Sequence, residues 1–216
     1  MSIFRSKTTD VPDANVPDAS AGSVATLEFD PATSALADVT GDYTLDATHT
    51  RIGFSARHAM VTTVRGQFDE FEGTAHLDLN NPAASSANVR IKVASVSTGQ
   101  EQRDEHLRTG DFFDAEAFPE IVYASTKVEK VDEETLLVTG DLTIKDVTRP
   151  VTVEFTLNGS AKDIYGNMRV GFEGAATISR KDWGLSYNAA LETGGVLISD
   201  KIKLQLDVSA IASPAA

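Results

Sequence analysis

Residues 138–157 restrict the possible folds more than any other part of this chain. In Val151-Thr152-Val153-Glu154-Phe155-Thr156-Leu157, the apolar side chains Val151, Val153, Phe155 and Leu157 fall on one side. Thr152, Glu154 and Thr156 fall on the other. A period of two marks a strand with one dry face. The run before it, from Val138 to Ile144, also reads as a strand, and a tight polar turn joins the two. What matters next is what the dry face encloses.

The same alternation recurs on both sides. Asp42 to Asp46 opens a first strand, and Arg51 to His58 forms another with Ile52, Phe54 and Ala56 on one face. Val64, Gly66 and Phe68 are followed by Phe71, Gly73, Ala75, Leu77 and Leu79, and the parity changes at Asp69-Glu70. That change predicts a turn or a bulge. Asn80-Asn81-Pro82 is a polar turn, and Val89, Ile91 and Val93 start the next strand. Strand patterns resume at Ile121-Val122-Tyr123 and Leu136 to Ile144. Later, Met168, Val170, Phe172, Gly174, Ala176 and Ile178 share one face, as do Ile202, Leu204, Leu206, Val208 and Ala210. The one helical candidate lies between Thr98 and Phe113, with Gly110 as its stop. The pattern predicts an all-β fold: an eight-stranded antiparallel up-and-down barrel with one short helix.

Strands of ~11 residues at ~3.3 Å each, tilted by ~40°, build a barrel on the order of 28 Å tall. Such a barrel either fills with side chains or holds one small ligand. Gly66, Gly73, Ala75, Gly174 and Ala176 on the inward face leave volume, whereas Phe54, Phe68 and Phe172 are large enough to fill it. Pattern alone keeps both readings open.

At 216 residues the chain has room for one generous all-β domain or two small ones. Its net charge of -13 argues against nucleic acid as a partner, because phosphate contacts need clustered Lys and Arg. The same charge argues against adhesion of the whole molecule to an anionic bilayer. Cysteine is absent, which excludes disulfides and thiolate chemistry. No apolar run of ~7–15 residues follows the first basic residues, and no window approaches the ~18 needed to span a membrane. A cytoplasmic protein without a transmembrane segment is therefore expected. Residues 1–39 are rich in Ala, Asp, Pro, Ser and Thr, with the near-repeat Asp10-Val11-Pro12-Asp13-Ala14 and Asn15-Val16-Pro17-Asp18-Ala19. They read as a disordered acidic tail, followed by a barrel domain over 40–212 and a short disordered end at 213–216.

The four histidines, His49, His58, His76 and His106, show no metal-binding spacing, so no metal and no cofactor are expected. His58 continues the inward parity of Phe54 and Ala56 and belongs near a barrel end. Arg103-Asp104-Glu105-His106 supports two readings. Either Asp104 orients His106 as a general base, or the acids start a short helix that Arg103 or Arg108 ties to the barrel rim. No nucleophile motif accompanies it. Gly194-Gly195 reads as a flexible loop pair. Trp183 is a core plug, or a lid closing over a ligand. Arg57, Arg65, Arg180 and Lys181 flank strand ends, where they can meet an anionic head group.

These elements in order resemble the YceI-like family of lipocalin-like, polyisoprenoid-binding proteins. The resemblance is carried by Tyr43-Thr44-Leu45-Asp46 with His49, by Ile52 to His58, and by Val64-Arg65-Gly66-Gln67-Phe68. It continues through Ser97-Thr98-Gly99, Arg103 to Arg108, Asp111 to Asp114 and Phe118-Pro119. Gly140 to Ile144, Val147 to Val151 and Arg180 to Gly184 complete it. The resemblance implies a lipocalin-like barrel with a long apolar pore for an isoprenoid chain, the polar head near an opening, and a homodimer as the assembly. Two features depart from the family. A cleaved leader like that of some periplasmic members is not expected here, and Asp146 stands where relatives often carry a turn glycine; Asp tolerates the left-handed conformation there.

The function expected is therefore non-enzymatic: sequestration or transport of a polyisoprenoid-type lipid, a prenyl phosphate or a quinone-like molecule. Phe54, Phe68, Val170, Phe172 and Leu204 are expected to line the pore, His58 or Arg65 to contact the head, and Trp183 to close over the ligand. Two alternatives are an enzyme or stress-response factor acting on an apolar metabolite, and an interaction domain with a filled barrel.

Overall fold

The computed structural model describes residues 39–190 and 196–213. The expectations of a mobile tail before residue 39, of a flexible Gly194-Gly195 pair and, past Ser213, of a loose end at 213–216 lie outside the described residues; Ser213 itself is described and donates its N–H to the Asp42 carbonyl (2.7 Å). Val39, the last residue of the stretch read as tail, is fully buried against Tyr43 and Leu79.

Eight antiparallel tracks close into a barrel. Three of them are interrupted. β1 (Gly41–Leu45) and β2 (Arg51–His58) are successive parts of the first track. β3 (Thr62–Phe68) and β4 (Phe71–Leu77) form the second, and β5 (Ser86–Lys92) and β6 (Val96–Ser97) the third. The other five are continuous: β7 (Glu120–Lys130), β8 (Thr135–Ile144), β9 (Val147–Lys162), β10 (Met168–Ser179) and β11 (Ile198–Ala212). Closure comes from β11, which pairs with β2 through Ile202 to Asp207 and with β1 through Ala210 to Ala212. A closed sheet leaves no long edge for another chain to pair with.

Each interruption has a local cause. Between β1 and β2, the Asp46 carboxylate accepts from the Thr48 N–H (3.0 Å) and is paired with His49 Nδ1 (2.7 Å), which turns the backbone away from the ladder. Arg169 bridges Asp46 and Asp163 (Nε to Asp163 Oδ2, 3.0 Å), tying this turn to the β9–β10 hairpin. The parity change at Asp69-Glu70 is the break between β3 and β4. It lies beside the break at Val93–Ser95, with Asp69 N–H on the Ser95 carbonyl (3.2 Å) and Lys92 N–H on the Glu70 carbonyl (2.9 Å). In the β8–β9 hairpin, the left-handed residue is Lys145 (φ 58°) and not Asp146. The hairpin survives, but the strained position is one residue earlier than expected.

The single α-helix among the described residues, α1 (Glu101–Arg108), follows β6. Buried Asp104 holds the corner, with Oδ1 accepting from the Thr98 N–H (2.9 Å) and the Thr98 hydroxyl. Arg108 donates to the carbonyls of Ala94 (2.8 Å) and Val96 (3.0 Å), fixing the helix to the broken third track.

Candidate ligand-binding site

Strand parity turns apolar side chains of all eight tracks inward, and the space between them is open. The cavity has a volume of about 480 Å³, inside the ~300–1,000 Å³ range of small-molecule sites. It extends from Tyr43, Val170 and Ala210 at one end to Leu185, Tyr187 and Ile198 at the other. Ile52, Phe54, Ile202, Leu204 and Leu206 line it and are only partly buried. A filled barrel would bury such side chains completely. The hollow reading therefore holds and the filled one does not.

The inward glycines keep the barrel hollow, though not by being empty. A Cβ on Gly66 would sit 2.4 Å from Cζ of Phe54, its cross-strand partner. A Cβ on Gly174 would sit 2.4 Å from Cε1 of Phe155, again its partner across the ladder. At Gly140 the Tyr123 ring lies at 2.6 Å, and at Gly73 the Leu45 side chain at 2.7 Å. Each glycine is a bed on which a neighbouring side chain lies against the wall. The large rings occupy the space over the glycines and leave the axis free.

The two ends differ in chemistry. At the β1 end, Val39, Tyr43, Leu79, Val128 and Leu136 pack into a buried apolar cluster. At the end where β2 finishes and β11 begins, His58, Arg103, His106 and Arg180 face the cavity; Arg57 touches its edge, with the guanidinium on the outer parity of β2 beside Thr63 (3.1 Å). Among the described residues no Asp or Glu lines it, in a chain with 32 acidic and 19 basic residues. Arg103 donates to the Thr98 hydroxyl (2.7 Å) and carbonyl (3.0 Å), and Arg57 to the carbonyls of Met60 (2.9 Å) and Val61 (3.1 Å). These are neutral acceptors, and among the described residues no carboxylate lies within 4 Å of either guanidinium. Arg180 is buried, donating to the carbonyls of Ser199 (3.1 Å) and Tyr187 (2.8 Å), with Asp200 at 3.4 Å. Burial lowers its pKa against the opposing Asp200 charge; an arginine starts so high that it keeps its proton.

His106 and Asp104 do not pair. The His106 ring contacts Asp111 Oδ2 (2.8 Å) and meets the rings of Phe112 and Tyr187 edge-on, at 5.0 and 4.9 Å between centroids. Of the two readings of this segment, the structure supports a helix start tied to the barrel. Among the described residues no group of three or more His, Asp or Glu is placed to hold a metal ion.

Phe54, Phe68, Val170, Phe172 and Leu204 all line the cavity, and His58 stands at its polar end. Arg65 does not line it. Val64 and Gly66 take the inward parity of β3, so Arg65 lies on the exposed outer face opposite Ser55. Trp183 does not line it either. It is 3% exposed, donates Nε1–H to the Leu142 carbonyl (3.0 Å), and packs with Leu142 and Leu185 in the core. It is a plug rather than a lid. Lys181 is paired with Asp200 (2.8 Å).

Several lining residues escaped the sequence reading. Tyr123 follows Ile121 in strand parity and was legible by that rule. Its hydroxyl donates to the Val138 carbonyl (2.9 Å), and burial, with the Asp141 charge adding, pushes its pKa up to about 12. It is a neutral donor spent within the wall. Phe112, Phe113, Leu185 and Tyr187 lie in irregular segments, where no periodicity points inward.

No helix among the described residues is long and apolar enough to cross a membrane. The YceI-like domain model matches residues 43–210. A UPF0312 protein of Photorhabdus laumondii is 42% identical over 154 residues, covering 70% of this chain and 78% of that protein. Among solved structures, the Campylobacter jejuni YCEI protein superposes with a TM-score of 0.63 at 32% identity, covering 78% of this chain and 96% of its own. A polyisoprenoid binding domain from Saccharophagus degradans, described as implicated in plant cell wall breakdown, gives a TM-score of 0.62 at 18% identity, with 79% and 98% covered. At that identity the likeness establishes the fold. Matched across most of its barrel, this chain belongs to the YceI-like family.

Proposed function

We propose that the barrel binds a polyisoprenoid-type lipid and sequesters or carries it, with the chain in the apolar cavity and the head at the Arg103–Arg180 end. The observation that carries this reading is the cavity itself, in which Leu204, Leu206 and Phe54 keep accessible surface on the inside of a closed sheet. Burying hydrocarbon there contributes ~0.8 kcal/mol per CH₂, so a long chain binds without specific polar contacts. The polar end supplies donors and no lining carboxylate among the described residues, which suits an oxygen-rich or anionic head such as a prenyl phosphate or a quinone. The fold shared with a polyisoprenoid binding domain supports the same ligand class.

The test is to extract purified protein with organic solvent, identify the released lipids by mass spectrometry, and titrate the stripped protein with prenyl alcohols and prenyl phosphates. A recovered isoprenoid, or saturable binding of an added one, is the expected result. No recovered lipid together with no binding of either class overturns the proposal.

A further inference from the structure

A ligand of this kind resides in membranes, and the mouth of the barrel carries a surface suited to reach it. The β2–β3 hairpin tip exposes Met60 (59%) and Val61 (75%). The Ala59 N–H donates to the Leu197 carbonyl (2.7 Å), which seats the tip beside Val196, also exposed. Leu197, His58 and partly exposed Tyr187 line the cavity, so this apolar rim is continuous with the interior.

Two further observations separate this rim from ordinary surface exposure. The first is backbone strain. Ala59 and Met60 both have positive φ (49° and 59°), a conformation that hairpins usually give to Asn or Gly. The Arg57 guanidinium holds the turn by taking the Met60 and Val61 carbonyls. An unfavourable residue kept at such a position points to a use for its side chain. The second is charge. From Ala47 to Phe68 there is no Asp or Glu, while Arg51, Arg57 and Arg65 all fall in that stretch. Arg51 faces Asp207 at 3.8 Å, and Arg57 and Arg65 have no carboxylate within 4 Å among the described residues. The exposed apolar residues at the opposite end are different: Val131 is followed by Asp132, Glu133 and Glu134, and Ile164 is preceded by Asp163.

We infer that the β2–β3 hairpin docks the barrel mouth onto the surface of an anionic lipid bilayer, with Met60 and Val61 entering the interface and Arg57 and Arg65 meeting lipid head groups. The net charge of -13 opposes adhesion of the molecule as a whole. It acts weakly at the tip, because at physiological salt its field is screened over ~8 Å. The inference rests on the proposed lipid function for its purpose, while docking itself needs no occupied cavity.

The experiment is co-sedimentation of the full chain with vesicles of phosphatidylglycerol and phosphatidylcholine in equal parts, and with pure phosphatidylcholine. The parent should pellet with the anionic vesicles more than with the neutral ones. The double variant Met60→Asn, Val61→Ser should lose at least tenfold in vesicle binding. Asn suits the left-handed turn better than Met, so the variant should melt no lower than the parent and bind geranylgeraniol from solution as the parent does. Arg65→Gln should weaken binding to anionic vesicles by about fivefold, the usual effect of one surface cation. A parent that ignores anionic vesicles, or a double variant that pellets as well as the parent, overturns the inference. So does sedimentation velocity showing a dimer of the parent that the variant dissolves, since the rim would then be a self-association surface. Vesicle binding by a protein that releases no lipid and binds neither geranylgeraniol nor its phosphate would reject the lipid-carrier function and leave the docking surface standing.

Discussion

The glycine beds set the usable girth of the cavity, and Gly174 allows this to be measured. In Gly174→Ala, the new Cβ would lie 2.4 and 2.8 Å from Cε1 and Cδ1 of Phe155, closer than carbon atoms can approach. The Phe155 ring must leave the wall, and the axis is the open side. A single aromatic ring needs on the order of 150 Å³ of cavity, about a third of the 480 Å³ present. A lipid chain excluded from that space forfeits roughly four CH₂ groups, or ~3 kcal/mol. That is a weakening of about 100-fold in Kd. Crowding of the wall should also lower stability by ~1–3 kcal/mol. Isothermal titration with geranylgeraniol reads the first effect and thermal melting the second. Adding Phe155→Leu to the alanine variant removes the ring and should restore most of the affinity. A Gly174→Ala protein that binds and melts like the parent refutes the idea that glycine beds keep the rings off the axis.

Acid should weaken the network at the β1–β2 turn. The Arg169 guanidinium, with Thr48 and His49, holds the Asp46 carboxyl well below the usual carboxylate range. Burial works against the Asp163 charge, but Arg169, Asn167 and the backbone N–H groups outweigh it and hold that carboxyl at about 2. Both values are depressed on folding, so the stabilisation is complete above the unfolded value of ~4 and is lost as pH falls toward about 2. Urea midpoints measured from pH 5 to pH 2 should fall for the parent and fall less for Asp163→Asn; parallel curves would exclude a role for this network. Trp183→Phe removes the bond to the Leu142 carbonyl and should cost ~1 kcal/mol of stability. Because Trp183 does not line the cavity, geranylgeraniol affinity should stay unchanged in that variant, and a loss of affinity in a fully folded protein would reassign it as a ligand contact.

How much of this was legible in the sequence depends on local periodicity. Where alternation is regular, as in β2, β9, β10 and the inward half of β11, residue parity placed Phe54, Phe172, Val170 and Leu204 on the cavity correctly. The same rule assigns Arg65 to the outer face, between inward Val64 and Gly66; expecting it at a ligand head gave its charge more weight than its position. Trp183 was misplaced for another reason. It sits in the 3-10 turn Arg180–Trp183, where no period exists, and its direction is set by the bond to Leu142, 41 residues away, and by packing against Leu142 and Leu185. The polar mouth is hard to read for the same cause, since Arg103, His106 and Arg180 come together from the helix and from the turn after β10. The glycine beds needed the cross-strand register, which pairs Phe54 with Gly66 and Phe155 with Gly174.

The three interrupted tracks are neighbours, whereas the five from β7 to β11 run unbroken. A cask whose splices all fall on adjacent staves is stiff over most of its circumference and compliant along one seam. Where ladder bonds are missing, bending the wall disrupts the least structure. A guest slightly too wide for the resting bore would therefore be accommodated by spreading the side made of the first three staves, while the opposite side keeps its curvature.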